Sequence, residues 1–256
     1  MELTLLKIGG NVLNDPAKLE EALDYFASLT EPAVLVHGGG RKASEVIAEM
    51  GRTPVMIDGR RITDAPTLEI VTMVYAGLLN KNLVAQLQSR GCNAIGLSGA
   101  DANAILANKR PVREIDYGFA GDVRSVNASL LSRLLELGLR PVLCPITHDQ
   151  KGQLLNTNAD TIAQEAATAL ARYEYAVSLR YCFELPGVLR DINDAGSVIE
   201  RLTPRTYAGF KANGTIAGGM IPKLDNAFTA VQAGVREVVI GDLPALRSGK
   251  GTRCSA

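Results

Sequence analysis

A mainly parallel α/β fold is predicted by three features of this 256-residue sequence. Short apolar runs end in glycine, as in LTLLKIG at 3–9 and AVLVHGGG at 33–40. Stretches with helical apolar spacing alternate with those runs. The first two runs are joined by such a stretch rather than by a tight turn, which calls for crossover connections. A folded chain of this length buries roughly 70 to 75% of its extended surface, enough for one large or two small domains without a metal or disulfide staple.

The run LTLLKIG is too short for a helix and reads as a buried strand that ends on Lys7 and the pair Gly9-Gly10. From Asp15 to about Ser28, Leu19, Ala22, Leu23, Phe26 and Ala27 recur at helical spacing, and Asp15-Pro16 supplies the cap and the first-turn proline. AVLVH is the next strand, and Gly38-Gly39-Gly40 feed a helix through Ala43, Val46, Ile47 and Met50. The segment 51–64 reads as extended, with a turn at Asp58-Gly59 and the basic pair Arg60-Arg61 after it. A helix starts at Asp64-Ala65-Pro66, and its continuation from Leu68 to Gln88 is apolar on more than one side, which suits either the core or a subunit contact.

NAIGLSG at 93–99 is another strand with a glycine exit. Residues 105–109 and 112–117 read as two short strands or a loop excursion around a turn at 108–111. A helix over 126–138 leads to the strand PVLCPI, and an alanine-rich helix begins near Ala159 with Asn158 or Asp160 in its first turn. YAVSLRYCFELPGVL is a buried strand leading to a turn at Pro186-Gly187. Helices over 204–213 and 222–233 flank GTIAGGMIPKL, and the strand VREVVIGD and the tail GKGTRC close the chain.

Lys plus Arg and Asp plus Glu both number 27, so the formal charge is zero and no broad basic field points to nucleic acid. The four cysteines are scattered without a CxxC pair, which argues against zinc or a secreted disulfide framework. No signal peptide is legible, since Lys7 and two glycines interrupt the first apolar run, and no stretch of about 18 uncharged apolar residues occurs. The expectation is a soluble cytoplasmic protein.

Two lysines, Lys7 and Lys223, and three glycine clusters suggest a phosphate that is gripped and moved. Phosphoryl transfer needs positive charge and rigid amide donors around the migrating group, and glycine loops opening helices present such amides. Each cluster alone is more simply a tight turn, and Lys7 alone could be a strand-end charge reaching water. Neither GxxxxGK[ST] nor GxGxxG is present. Asp160 could orient two lysines or merely cap a helix. Arg61 or its neighbour Arg60 could grip a carboxylate, with Asn156 beside it, and spacing does not choose between the arginines. His37 and His148 lack triad partners and read as structural or incidental, and no metal-ligand spacing occurs, so magnesium would arrive with a nucleotide.

Taken together, KIGGN at 7–11, VHGGG at 36–40, DGRRITD at 58–64, AIGLSGADA at 94–102, LLNTNAD at 154–160 and GGMIPKL at 218–224 resemble, in order, the N-acetylglutamate kinase family of the amino acid kinase fold. The resemblance implies a three-layer α/β/α sandwich with a mainly parallel central sheet in one domain over 1–256. The half from 1 to about 170 would hold the acylated amino acid and the half from about 171 to 256 would hold ATP. It implies transfer of the ATP γ-phosphoryl group, with Mg2+, to the side-chain carboxylate of N-acetyl-L-glutamate or N-succinyl-L-glutamate in arginine biosynthesis.

By the same resemblance Lys7 and Lys223 stabilise the moving phosphoryl group and Asp160 orients them. Gly10 and Gly39 match its amide donors, with Gly40 alongside. Arg61 matches the clamp on the substrate α-carboxylate, and Asn156 matches a substrate ligand. Glu184, Gly187, Val188, Leu189 and Gly218 correspond to the nucleotide side. Phe183-Glu184 departs from the family's small hydroxyl residue followed by Asp or Asn. The chain starts directly at its first strand, from which a homodimer insensitive to arginine is expected. Alternatives are a sister enzyme of the fold, acting on free glutamate, aspartate, carbamate or a nucleoside monophosphate, and a non-catalytic nucleotide or amino-acid sensor.

Overall fold

The structure, a computed structural model, describes residues 1–57 and 59–255. Its main sheet has eight strands: β1 (Glu2–Ile8), β2 (Ala33–His37), β3 (Ala94–Leu97), β4 (Arg140–Leu143), β5 (Ala176–Cys182), β6 (Arg201–Leu202), β7 (Glu237–Gly241) and β8 (Thr252–Cys254). They lie in the spatial order β6, β8, β7, β5, β1, β2, β4, β3. The six from β7 to β3 run parallel. At the other edge β8 runs antiparallel to β7, and β6 runs with β8.

The sheet is buried on both faces, as its strands' continuous apolar runs require. On β1, Leu3 and Leu5 face one core, with the helices Ala159–Tyr173 and Met220–Gln232. Leu6 and Ile8 face the other, with Leu23 and Phe26 of the helix Pro16–Ser28. This is the three-layer α/β/α arrangement. Strand alternation then puts Lys7 on the same side as Leu3 and Leu5, under the helix that starts at Ala159.

From β1 the chain moves toward β2, whereas β5 enters on the opposite side of β1 and the chain continues outward to β7. Such a reversal opens a crevice at the carboxyl ends of the two strands, where ligands of α/β sheets bind. Lys7 and Tyr181 are paired in register at that end. A smaller sheet, ordered Leu154–Asn156, Ile146–His148, Ile105–Lys109 and Gly121–Val126, lies beside this crevice with the two-stranded ribbon Met56–Ile57 and Arg60–Arg61.

Several expected elements differ in detail. The strand Ile105–Lys109 pairs with Gly121–Val126 rather than with 112–117, which form a loop. Tyr117 O instead accepts from Thr63 N, so that loop is tied to the chain just after Arg60–Arg61. The helix carrying Lys223 starts at Met220, before the proline, so Pro222 sits in its first turn, where the missing N–H costs nothing. The long helix from Ala65 to Gln88 contains a π-helical segment, Met73–Leu79. Its inner face packs through Val74 and Tyr75, while Met73 and Leu78 are exposed. The expected turn at Asp58-Gly59 falls partly on Asp58, which lies outside the described residues. All four cysteines are buried and unpaired. No helix among the described residues is long and apolar enough to cross a membrane.

Candidate active site

Lys7, Asp160 and Lys223 meet above the carboxyl end of β1. Lys7 Nζ lies 2.5 Å from Asp160 Oδ1, and Lys223 Nζ lies 3.6 Å from Asp160 Oδ2. The close Lys7 contact is charge pairing, since Oδ1 receives no well-aligned hydrogen bond. Asp160 itself is held from behind: Asn158 Oδ1 caps the helix by accepting from Asp160 N at 2.8 Å and Thr161 N at 3.3 Å, and Tyr181 Oη donates to Asp160 O at 3.2 Å. Burial works to raise the Asp160 carboxyl, but the charges of Lys7 and then Lys223 outweigh it and hold the group below its ordinary value. The carboxylate is therefore ionised, and one anion between two ammonium groups leaves a net positive charge at the mouth of the crevice.

Two glycine loops border that charge. Gly9 caps the short helix Gly10–Leu13, whose first amides have no intrahelical acceptor. Gly38 N donates to Ile8 O at 3.1 Å, so the second loop is fastened to the end of β1 beside the first. Gly39 caps the helix Gly40–Glu49 with φ at 149°. An added Cβ there would overlap Leu79 Cδ1 and lie 3.0 Å from Tyr75 Cδ1. Only glycine fits, for reasons of both backbone and space.

A cavity of about 140 Å³ lies against this loop, lined in part by Gly39, Gly40, Arg60, Arg61, Tyr75 and Asn156. Arg61 is 5% exposed. Its Nη2 donates to Gly40 O and to Ser44 Oγ, each at 2.8 Å, while Nε and Nη1 have no partner among the described residues. A buried guanidinium with unpaired N–H groups is costly alone and is suited to a carboxylate. Asn156 Nδ2 donates to Thr63 Oγ1 at 3.0 Å, and that hydroxyl donates to Arg61 O at 2.9 Å, which ties the asparagine to the arginine's own backbone.

On the other side of the lysines, a cavity of about 340 Å³ is lined by residues that include Lys7, Gly9, Gly10, Glu184, Gly219 and Lys223. A third, of about 700 Å³, joins Arg60, Asn158, Asp160, Gly218 and Lys223. The structure thus brings together Lys7, Asp160, Lys223, Gly10, Gly39, Gly40, Arg61, Asn156, Glu184 and Gly218 around three cavities that share lining residues. Gly187, Val188 and Leu189 lie farther back: Val188 N donates to Thr252 Oγ1 at 2.8 Å, and Leu189 bridges Val198. His37 is fully buried, and His148 ends a strand of the small sheet.

Sequence reasoning did not find Tyr75, Ser44, Thr63 or Tyr181 as supports of the site, because each acts through a partner distant in the chain. Asn158 had a signal, the NTNAD asparagine just ahead of an apolar helix, but its capping of Asp160 needed the structure.

The chain matches the family model described as the Amino acid kinase family over residues 2–242. It is 54% identical over 252 residues to acetylglutamate kinase of Bacteroides thetaiotaomicron, covering 98% of each chain. It is 56% identical over 240 residues to acetylglutamate kinase of Cytophaga hutchinsonii, covering 93% of this chain and 90% of that one. Among solved structures it is similar to smu.665 from Streptococcus mutans UA159, with a TM-score of 0.79 and 28% identity, covering 99% of this chain and 98% of that one.

Proposed function

The chain belongs to the amino acid kinase family, and from that premise we propose that it is an acetylglutamate kinase, transferring the ATP γ-phosphoryl group to the side-chain carboxylate of N-acetyl-L-glutamate in arginine biosynthesis. The observation that carries this reading is Arg61, a buried cation with two unpaired donors beside the Lys7, Asp160 and Lys223 cluster. The relatives named above, each an acetylglutamate kinase over nearly its whole length, support it.

In this reading Arg61 holds the substrate α-carboxylate through its unpaired guanidinium N–H groups, and Asn156 binds beside it. The side-chain carboxylate then points toward Lys7. It is already a nucleophile, so no general base is needed. Lys7 and Lys223 neutralise charge on the migrating group, Asp160 keeps the two ammonium groups apart and aimed, and the amides of Gly10, Gly39 and Gly40 add fixed donors. The cavity lined by Gly9, Gly10, Glu184, Gly219 and Lys223 suits the nucleotide phosphates, as cations and bare glycine backbone would require. The donor set offers no cage for a metal: among the described residues no group of three or more His, Cys, Asp or Glu gathers. Magnesium is accordingly assigned to the nucleotide phosphates and water, where it supplies further charge neutralisation.

An N-acylated amino acid is preferred over a free one because no carboxylate is among the described residues lining the Arg61 cavity, so a substrate ammonium group would have no counter-ion there. We assign the lobe up to about residue 170 to the amino acid and the remainder to ATP. Cytoplasmic residence and a homodimer complete the proposal. Met73 and Leu78, 53% and 45% exposed on the π-helical segment, are the apolar side chains offered to a second copy.

The test is a hydroxamate assay with ATP, magnesium and each acid in turn. Trapped acyl phosphate with N-acetyl-glutamate, or with N-succinyl-glutamate assayed alongside, and none with glutamate is the expected result. Trapping with free glutamate alone would overturn the substrate, and no trapping with any acid would overturn the activity.

A further inference from the structure

His37 is fully buried at the end of β2 and touches none of the cavities described above. Its ring nonetheless sits in a chain of hydrogen bonds that admits a single arrangement of protons. His37 Nδ1 is 2.7 Å from Gly38 O, and a carbonyl oxygen only accepts, so Nδ1 carries the proton. Nε2 lies 3.2 Å from Asn80 Nδ2, which donates to it. Asn80 cannot be turned the other way. The same Nδ2 also donates to Val142 O at 2.9 Å, and Asn80 Oδ1 accepts from Lys81 Nζ at 3.2 Å. Asn80 is 1% exposed, so these bonds are shielded from water.

The consequence reaches the site through one peptide plane. In a trans peptide the carbonyl of one residue and the N–H of the next point in opposite directions. Drawing Gly38 O toward the buried imidazole therefore turns Gly39 N–H away from the core, toward the cavity that Gly38, Gly39 and Gly40 line. Gly39 N–H has no acceptor among the described residues. Gly38 has little conformational restraint of its own, and among the described residues its other hydrogen bond is from its N–H to Ile8 O.

We propose that His37, kept in its Nδ1–H tautomer by Asn80, is a positioning residue that aims the Gly39 amide at the phosphoryl group in transfer. Burial lowers the ring's titration to about 4, so it stays neutral wherever the enzyme works. The inference rests on the kinase reading above, with Gly39 as a phosphoryl-facing donor. No proton moves from His37 in the reaction; its part is to hold a dipole that would otherwise have to reorganise.

The test compares His37→Leu, which removes the ring donor, with His37→Asn, whose amide can place an N–H near the Nδ1 position. Both are assayed by hydroxamate trapping, with the folded fraction of each preparation measured. His37→Leu is expected to lose roughly 10- to 100-fold in kcat, short of the 10²- to 10³-fold loss of an entire oxyanion donor, with the acylglutamate KM changed less than about threefold. His37→Asn is expected to recover most of that loss. A merely structural histidine predicts lower stability and unchanged kcat per folded molecule in both variants, and that result overturns the inference. Should His37→Leu fail to fold, the ring nitrogen NMR shifts of the wild-type enzyme decide instead: a protonated Nδ1 and bare Nε2 support the inference, and the opposite tautomer ends it. Failure of the kinase reading is separately visible, as absence of trapping by the wild-type enzyme.

Discussion

Replacing Gly39 with alanine puts the local architecture of the second glycine loop to a quantitative test. The residue lies at φ 149°, and the new Cβ would overlap Leu79 Cδ1 and approach Tyr75 Cδ1 to 3.0 Å. Holding a residue other than glycine in this backbone region costs about 1–3 kcal/mol. Forcing a methyl group into the occupied space adds about 1–3 kcal/mol. Together they amount to about 2–6 kcal/mol, which at roughly 2–4 °C per kcal/mol for a chain of this size lowers Tm by roughly 4–24 °C. Scanning fluorimetry reads the shift. Gly209→Ala is the control, since Gly209 lies inside the helix Pro204–Ala212 with open space around its Cβ. It should hold or raise Tm, as alanine is favoured over glycine in a helix by about 0.5–1 kcal/mol. Adding Leu79→Ala to Gly39→Ala removes the closer of the two contacts and leaves the backbone cost with the Tyr75 contact. A Gly39→Ala protein melting within about 2 °C of wild type would refute both parts of the estimate.

Lys223→Ala should lower kcat by roughly 10²-fold or more, as loss of a charge stabiliser does, with the acylglutamate KM nearly unchanged; steady-state hydroxamate kinetics with a kcat within tenfold of wild type would remove the lysine from its assigned role. Arg61→Ala should mainly raise that KM, by roughly 10- to 100-fold, because hydrogen bonds to charged groups contribute about 1.5–3 kcal/mol. A selective fall in kcat would instead place Arg61 on the migrating phosphoryl group. His37 makes stability pH-dependent in a defined direction. Its folded value is about 4 against 6.5 for the free side chain, so below about pH 6.5 the unfolded chain takes up a proton that the folded chain refuses. The stabilisation is complete above that value and is lost at about 1.4 kcal/mol per pH unit on the way down to about 4. Urea unfolding at about pH 7 and about pH 4.5 should show wild type losing roughly 2–3 kcal/mol more than His37→Asn, and equal losses would mean that the ring is not buried as a neutral group.

Much of the fold is legible in the order of residues because parallel strands buried on both faces must be largely apolar, as AVLVH is. The two lysines and Asp160 are legible as candidates from their residue types, but their roles as a group come only through the resemblance, since nothing in spacing brings residue 7 to residue 223. The edge of the sheet is not legible. Thr252–Cys254 is three residues long, and what makes it a strand is its antiparallel pairing with β7. Arg60 and Arg61 illustrate the limit for side chains. Adjacent strand residues point to opposite faces, and only the packed ribbon shows Arg61 buried against Gly40 and Ser44 while Arg60 remains half-exposed. The need for glycine at position 39 is likewise written in Tyr75 and Leu79, some forty residues on.

The anchoring of Lys7 and Asp160 differs in kind from that of Arg61. The first two belong to the innermost strand and to a capped helix laid across it, whereas Arg61 rides on a two-residue ribbon at the rim. Under the proposed roles, anyone wishing to retarget this scaffold to a different carboxylic acid has a natural seam to cut along: the rim would be exchanged while the groups assigned to phosphorus stay on their foundation.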